Sequence, residues 1–308
     1  MTDHMIAITS SSFCKNQTLI EEARRVFKEV RLNLSDGRLK KEELIDFLYG
    51  CDGAIIGLET VDEDVLKKCP QLKAISKYGV GIDNIDLNLL KKHNVSFLFT
   101  PGVNKRSVAE LTLGLIIGLL RKIPTYNDHM KSNIWRRTGG EELTGTTVGI
   151  IGCGNIGKEL IHLLQPFCCN ILINDILNMD EFCKCAGVKQ VTKQEIISKS
   201  DIISLHIPLT DLTRYMFCHE EFKNMKRSAY LINTSRGGVV CEKELVYALN
   251  EKLIAGAACD VYENEPEIHH ALVTHKNFIA TPHIAGNSSQ GVLAMGRAAI
   301  ENLQLICV

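Results

Sequence analysis

Three side chains in the second half of the 308-residue chain could act together on a small acid: Arg236, Glu265 and His283. Each follows an apolar run that predicts a strand, and ligands of open α/β sheets bind beyond the carboxyl ends of strands. An arginine placed there can hold a carboxylate through two parallel hydrogen bonds. A surface arginine is the alternative interpretation of Arg236.

Glu265 and His283 could form a carboxylate–histidine pair if the fold brings them together. Reduction of a 2-keto acid needs a proton for the carbonyl oxygen as hydride reaches the carbon. Histidine exchanges protons near neutral pH, and such a general acid–base contributes about 10²–10⁴-fold in rate. Separately, His283 is typical of a structural histidine and Glu265 of a solvated loop acid, and the two are 18 positions apart in the sequence.

A glycine-rich turn at residues 152–157 offers a binding site for a hydride carrier. The apolar run 148–151 predicts a strand that enters this turn, and a helical pattern follows at once. Gly152 permits the tight turn, Gly154 lets the backbone approach a pyrophosphate, and Gly157 lets helix and strand pack closely. The pyrophosphate then meets the unpaired N–H groups of the helix N-terminus.

The second half of this dinucleotide fingerprint is Asp175, which ends the next predicted strand. An aspartate there accepts hydrogen bonds from the ribose hydroxyls and repels a 2′-phosphate. The residues 176–178 include no arginine. We therefore predict NAD rather than NADP. A bare helix–strand turn and a site for another adenosine ligand, such as S-adenosylmethionine, remain alternatives.

Composition excludes several other classes of protein. With 35 Lys and Arg against 36 Asp and Glu, the chain lacks the positive field that binds nucleic acid. The most apolar run, 111–120, is too short to span a bilayer, so no membrane partner is expected. Twelve cysteines in a chain without a recognisable secretory signal predict reduced thiols in the cytoplasm. The pairs at 168–169 and 183–185 lack histidines at zinc spacing, so no metal site is expected.

The elements that must position these residues alternate along the chain between short apolar runs and helical patterns. Strands are predicted at 5–9, 29–34, 53–58, 73–76, 95–99, 147–151, 171–176, 202–207, 230–233, 257–261 and 278–280. Helices are predicted at 18–27, 40–49, 62–68, 86–92, 155–167, 194–199, 220–225, 242–250 and 288–306. The pattern favours two α/β units in series with mostly parallel sheets.

Between the two units, an apolar helix is predicted from about Ser107. Ser107 and Glu110 have the spacing of a capping box, in which the serine accepts an orphan N–H and the glutamate reaches back. The polar segment 127–146 then predicts a break before the second unit.

Several motifs in order resemble the D-isomer-specific 2-hydroxyacid dehydrogenases, and within them the phosphoglycerate dehydrogenase-like branch. They are KYGVGIDNID at 77–86, TPGVN at 100–104 with SVAE at 107–110, the glycine turn, and the segments of Arg236, Glu265 and His283. The resemblance implies an NAD-dependent oxidoreductase that transfers hydride between NAD(H) and a small D-2-hydroxy acid or its keto form.

The resemblance also implies individual roles. Arg236 would bind the substrate carboxylate and polarise the carbonyl, His283 would be the acid–base, and Glu265 its partner. Substrate contacts are expected from Lys77, Tyr78, Gly79 and Val80, with backbone N–H groups of this loop meeting the carboxylate. Cofactor contacts are expected from Gly152, Gly154, Asn155, Ile156, Gly157, Asp175, Ile207, Thr234, Asp260 and Gly286.

The implied architecture is two Rossmann-like, doubly wound parallel-sheet domains. A substrate domain, residues 1–102 plus 287–308, would be split around an NAD-binding domain, residues 103–286. The family is usually dimeric, with the segment around Trp135 reaching across to the second copy, so a homodimer is expected.

The sequence departs from the phosphoglycerate-specific members in the loop 56–60. Those members tend to carry arginine there for the substrate phosphate, whereas this chain carries Glu59, and Lys77 is the nearest basic substitute. Because the sequence ends at Val308, no C-terminal regulatory domain is expected.

Glu265 in place of glutamine argues against formate oxidation. An NAD-sensing corepressor of the same fold and an enzyme oxidising phosphite are the alternative functions.

Overall fold

The structure is a computed structural model that describes residues 2–35 and 37–306. The chain divides into two compact units, one formed by Met1–Asn104 with Gly286–Val308 and the other by Lys105–Ala285. Residues 1, 36, 307 and 308, which the predicted domain ranges include, lie outside the described residues.

The first unit contains a five-stranded parallel sheet in the order β2-β1-β3-β4-β5. Its strands are β1 (Thr2–Ile8), β2 (Phe27–Leu32), β3 (Gly53–Ile56), β4 (Ala74–Lys77) and β5 (Ser96–Leu98). The helices along the chain are α1 (Ser11–Cys14), α2 (Gln17–Val26), α3 (Lys41–Leu48), α4 (Glu63–Lys68) and α5 (Leu87–Lys92). A C-terminal helix, Ser289–Ile306, completes the unit.

Apolar strands and capped helices explain why this unit forms. Every residue of β3 and β4 is buried, as expected for parallel strands covered on both faces. Asp62 and Asp86 accept N–H groups of the first turns of α4 and α5 and so fix where these helices begin. The C-terminal helix packs on α2 so closely that a Cβ at Gly296 would lie 2.3 Å from a Leu19 side-chain atom.

The second unit contains a seven-stranded parallel sheet in the order β12-β11-β10-β9-β6-β7-β8. Its strands are β6 (Thr147–Ile151), β7 (Asn170–Asn174), β8 (Lys189–Gln190), β9 (Ile202–Leu205), β10 (Tyr230–Asn233), β11 (Gly256–Cys259) and β12 (Phe278–Ala280). The helices are α6 (Lys105–Leu120), α7 (Ile123–Lys131), α8 (Asn155–Leu164), α9 (Asp180–Ala186), α10 (Lys193–Lys199), α11 (His219–Asn224), α12 (Glu242–Asn250) and α13 (His270–Val273).

The strand order of this sheet reverses between β6 and β9, which is the topological switch point of a doubly wound fold. One buried apolar cluster lies on each face of the sheet, one of them built largely on α6 and α8. Parallel, doubly wound sheets in both units confirm the predicted fold class.

The helix predicted from about Ser107 is present, but the predicted capping box of Ser107 and Glu110 is wrong. Helix α6 begins at Lys105, so Ser107 lies inside its first turn, and the serine hydroxyl donates to the carbonyl of Ala285 at 2.6 Å. Glu110 accepts a hydrogen bond from Arg106 Nε at 2.6 Å. The tertiary partner of the serine therefore replaces the expected capping interaction. The predicted break at 127–146 also begins inside α7.

No helix among residues 2–35 and 37–306 combines the length and the apolar character that crossing a bilayer requires.

Candidate active site

The glycine turn between β6 and α8 combines two crowded positions with one open position. At Gly152, which has a φ of +94°, a Cβ would lie 2.3 Å from the carbonyl oxygen of His206. At Gly157 a Cβ would lie 2.2 Å from the carbonyl oxygen of Gly152. A Cβ at Gly154 would meet nothing within 4 Å. The open position leaves room for a ligand beside the first helical residues, Asn155 and Ile156.

Asp175 lies directly beside this turn. Its Oδ2 accepts the N–H of Cys153 at 2.7 Å, and its Oδ1 accepts the N–H of Leu177 at 2.9 Å. The two parts of the dinucleotide fingerprint are therefore held together by a charge-assisted hydrogen bond. The neighbouring side chains of Ile176 and Leu177 are exposed and supply an apolar surface next to the carboxylate.

Ile207 and Thr234 follow strands β9 and β10, on the same edge of the sheet as the glycine turn. The side chain of Ile207 is so close that a Cβ on Gly152 would lie 2.8 Å from its Cγ2. Thr234 is buried, and its hydroxyl lies 2.8 Å from that of Thr112 on α6. Both residues thus lie along the edge at which dinucleotides bind in this fold.

Arg236 lies in a tight turn that follows β10, and side-chain hydrogen bonds of Asn233 stabilise this turn. The Oδ1 atom of Asn233 accepts the N–H and the hydroxyl of Ser235, and its Nδ2 donates to the carbonyl of Arg236 at 2.8 Å. Such side-chain bonds to nearby backbone fix a turn. The next residue, Gly237, passes so close to Tyr262 that a Cβ would lie 1.9 Å from the tyrosine carbonyl oxygen.

Glu265 and His283 are in direct contact. His283 Nδ1 lies 2.7 Å from Glu265 Oε2, and Glu265 Oε1 accepts the N–H of Tyr262 at 3.0 Å. Burial acts to raise the pKa of Glu265, but the hydrogen bond and charge of His283, the Tyr262 N–H and the charge of Arg236 together lower the pKa below its usual value. The structure thus brings all three predicted catalytic side chains into one electrostatic group.

The side chain of Asp260 holds the turn that contains His283. It is fully buried, and its carboxylate accepts the Thr281 hydroxyl at 2.6 Å and the N–H groups of Ile284 and Ala285 at 2.9 and 2.8 Å. Its carbonyl accepts the N–H of His283 at 2.8 Å. This network holds His283 at a φ of +53°, which is uncommon for a residue with a side chain. Burial raises the pKa of Asp260 despite these bonds.

The predicted substrate loop lies in the first unit, where the Lys77 side chain is buried. Its Nζ donates to the carbonyl of Gly57 and to Asn84 Oδ1. Tyr78 is also buried, and its hydroxyl accepts a hydrogen bond from Ser12 Oγ at 3.1 Å. Gly79 has a φ of +101°. The ammonium group of Lys77 therefore forms hydrogen bonds within the first unit.

The side chain of Glu59 also points into the interior of the first unit. Glu59 occupies the position at which a phosphate-binding arginine would be expected. It is buried, and its Oε2 accepts the hydroxyl of Thr9 and the N–H of Gly57 at 3.2 Å. The remaining predicted contacts of this unit are Val80, which is partly buried, and Gly286. A Cβ at Gly286 would lie 2.8 Å from Asn104 Nδ2.

Sequence reasoning missed the positioning roles of Asn233 and Asp260. Asn233 stands at a strand end immediately before a Ser-Arg-Gly turn, which is where an asparagine organises backbone. Asp260 also follows a strand, but nothing in its spacing distinguishes an inward carboxylate from one facing a ligand. Within the described parts of the chain, no group of three or more His, Cys, Asp or Glu side chains could hold a metal ion.

Comparisons with known proteins agree with this geometry. Residues 113–285 match the model of the family "D-isomer specific 2-hydroxyacid dehydrogenase, NAD binding domain". This match confirms the resemblance noted in the sequence and assigns NAD binding to the second unit.

Individual relatives extend the similarity to nearly the whole chain. A D-3-phosphoglycerate dehydrogenase of Methanocaldococcus jannaschii is 35% identical over 293 residues, which are 94% of this chain and 56% of that protein. A glyoxylate reductase of Korarchaeum cryptofilum is 34% identical over 272 residues, which are 85% of this chain and 82% of that protein. This chain spans about half the length of the phosphoglycerate dehydrogenases that it matches.

Solved structures show the same fold. A D-lactate dehydrogenase of Aquifex aeolicus, complexed with NAD and lactic acid, superposes with a TM-score of 0.82 and 26% identity. The superposition covers 96% of this chain and 93% of that one. The chain belongs to the D-isomer specific 2-hydroxyacid dehydrogenase family.

Proposed function

We propose that this protein is an NAD-dependent dehydrogenase that transfers hydride between NAD(H) and a small D-2-hydroxy acid or the corresponding 2-keto acid. The observation that carries the proposal is the 2.7 Å contact between Glu265 and His283, within the electrostatic reach of Arg236, in a unit that matches an NAD-binding domain. A proton donor, a carboxylate-binding cation and a dinucleotide site are the three components that this reaction needs.

The second unit fits NAD at the glycine turn. The open space at Gly154 and the exposed N-terminus of α8 would hold the pyrophosphate, and Asp175 would accept the ribose hydroxyls. Asp175 already accepts the Cys153 N–H through Oδ2, so its orientation toward the turn is fixed before a ligand arrives. When bound, NAD(H) supplies or accepts the hydride.

His283 is proposed to move the proton. Because Glu265 is ionised and faces Nδ1, it holds the ring hydrogen at that atom and leaves Nε2 to exchange a proton with the substrate oxygen. In the reducing direction the carbonyl carbon receives hydride and the oxygen receives the proton from Nε2. In the oxidising direction Nε2 takes the hydroxyl proton as hydride leaves.

Arg236 is proposed to hold the substrate carboxylate with its guanidinium group. Its turn is fixed by Asn233 and by the close contact of Gly237 with Tyr262, so the guanidinium is displayed from rigid backbone. We also propose that the backbone N–H groups of Tyr78, Gly79 and Val80 contact the substrate. The positive φ of Gly79 turns the chain away from the extended conformation of a strand, so these groups do not continue the pairing of β4. Lys77 and Glu59 are assigned positioning roles within that loop's unit, because both side chains are buried.

The test is a panel of 2-keto acids, phosphorylated and unphosphorylated, offered with NADH. Loss of NADH absorbance with formation of the D-hydroxy acid supports the proposal. Binding of NADH without turnover of any acid would overturn it and favour an NAD-sensing binding protein. The same assay with NADPH measures the cofactor preference.

We further propose that the protein works as a homodimer in the cytoplasm. In support of the dimer, Trp135 is 77% exposed, and Met130 and Ile134, which precede it closely in the chain, are exposed as well. In support of a reducing compartment, the thiols of Cys168 and Cys185 lie exposed at the surface, where such a compartment keeps them reduced. Light scattering of wild type and Trp135→Ser tests the first point: a dimer that becomes a monomer in the variant supports it, and a monomeric wild type overturns it.

A further inference from the structure

Two cysteines outside the catalytic group occupy neighbouring positions on paired backbone segments. Phe217 N donates to the Val239 carbonyl at 3.1 Å, and Cys241 N donates to the Phe217 carbonyl at 2.9 Å. These bonds pair Phe217 with Val240 as a parallel bridge. Cys218 and Cys241 are therefore the next residues on both segments, and in extended backbone their side chains leave the same face.

The two thiols are neighbours on the paired segments and are accessible from outside. Both residues are free cysteines and are partly exposed. Burial and the neighbouring Cys241 side chain raise the pKa of Cys218 to about 11, so the Cys218 thiol is protonated at neutral pH.

We propose that Cys218 and Cys241 form a reversible redox pair that closes to a disulfide with a small-molecule disulfide such as oxidised glutathione. The Cys241 thiolate attacks one sulfur of that disulfide and releases one thiolate. The Cys218 sulfur, losing its proton, then displaces the second thiol from the mixed disulfide. Two protein thiols are oxidised, one small disulfide is reduced to two thiols, and the electrons balance.

The geometry needs only a small movement. Parallel neighbours lie about 4.8 Å apart, which falls inside the Cα separation of about 4.4–6.8 Å found across disulfides. The Cβ atoms of a disulfide stand about 3.8 Å apart, so closure draws the two segments together by about 1 Å. The crosslink is therefore feasible, but it does not leave the backbone unchanged.

This movement acts on the proposed catalytic loops. Cys241 lies five residues after Arg236, and the adjacent Glu242 exchanges two hydrogen bonds with Glu263 at 2.8 and 2.6 Å. Glu263 precedes Glu265 by two residues. A shift of Cys241 is thus transmitted to both the guanidinium and the carboxylate. We expect oxidation to lower turnover by at least about tenfold, since misplacement of reacting groups by about 1 Å costs this much or more. This consequence rests on the proposed function.

The experiment incubates the whole protein with oxidised glutathione or with dithiothreitol, and then measures peptide masses, thermal unfolding and turnover. A peptide pair linked between Cys218 and Cys241, lighter by two hydrogen atoms, is expected after oxidation only. Turnover should fall with the linkage and return with dithiothreitol. Cys218→Ser and Cys241→Ser should keep the reduced activity and lose the sensitivity, whereas Cys185→Ser, at an exposed thiol of α9, should keep both.

Absence of the linked peptide, or glutathione adducts on other cysteines alone, would overturn the redox pair. A linked peptide with unchanged turnover would overturn its effect on the catalytic loops. The linkage and the unfolding temperature are read without substrate, so they decide the crosslink even if no 2-keto acid is turned over. Failure of the proposed function is thereby distinguished from failure of the redox pair.

Discussion

His283 Nδ1 and Glu265 Oε2 are 2.7 Å apart because strands β11 and β12 are neighbours in the sheet. The segments that follow these strands start at the same edge of the sheet. Glu265 and His283 are therefore close in space although they are far apart in the sequence. The backbone repeats the pairing, since His283 N donates to the Asp260 carbonyl at 2.8 Å. The imidazole is thus positioned through both its ring and its main chain.

His283→Ala should lower turnover by about 10²–10⁴-fold, because the variant has no group to exchange the substrate proton. Binding of NADH, followed by fluorescence titration, should change little, since the glycine turn is untouched. His270→Ala, which removes an exposed imidazole from the same unit, is the control and should behave as wild type. Wild-type turnover in His283→Ala would disprove the acid–base role.

Glu265→Gln should weaken the dependence of stability on pH. The pKa of Glu265 is lower in the folded protein than in the unfolded chain, so its ionisation stabilises the fold above the unfolded pKa of about 4.3. That contribution is lost as the pH falls through the folded pKa. Urea unfolding at pH 7 and pH 3 should show a larger loss for wild type than for the variant. Glu267→Gln, at an exposed neighbour, should follow wild type; equal losses in all three proteins would contradict the lowered pKa.

Asp175→Asn should shift the cofactor preference toward NADPH by at least about tenfold, because the negative charge that repels a 2′-phosphate is removed. The asparagine retains an oxygen that can accept the Cys153 N–H, so the turn is preserved. The ratio of kcat/KM for NADH and NADPH measures the change. Asp180→Asn removes an exposed charge nearby and serves as the control. A ratio that does not move in Asp175→Asn would refute the role of this charge.

Gly154→Ala and Gly157→Ala should separate cofactor binding from stability. A Cβ at Gly157 would overlap the Gly152 carbonyl, so we expect a loss of about 1–3 kcal/mol in the free energy of unfolding. A Cβ at Gly154 meets no protein atom, so stability should persist while affinity for NADH falls by at least about tenfold. Thermal unfolding without cofactor and NADH titration measure the two effects. Equal NADH affinity in Gly154→Ala and wild type would place the pyrophosphate elsewhere.

Arg236→Gln should raise the KM for the keto acid by about 10–100-fold, as expected when a hydrogen-bonded charge partner is lost. Arg236→Lys should recover only part of this loss, because an ammonium cannot form the two parallel bonds of a guanidinium. Arg227→Gln, at an exposed arginine of the same unit, should have no effect. If Arg236→Gln retains the wild-type KM, the carboxylate binds elsewhere.

The sequence predicted the long and strongly patterned elements because their signals are local. The apolar run of β6, the glycine turn and the helical pattern of α8 are continuous along the chain. Elements such as α1, β8 and α13, which have two to four residues, were missed because so few positions define no hydrophobic period. The capping role predicted for Ser107 is wrong because α6 begins at Lys105 and the serine hydroxyl donates to Ala285, a partner that no local pattern reveals.

By itself, the sequence determined which chemical groups stand at strand ends: an arginine, a glutamate and a histidine in the second unit, together with a dinucleotide turn and its acid. Only the tertiary structure decided which of these side chains meet and which turn inward. Glu265 meets His283, whereas Lys77, Glu59 and Asp260 are buried among hydrogen-bond partners. The physical reason is that periodicity assigns a residue to a face or an edge, while distances between remote residues depend on strand order and on the loops that join the strands.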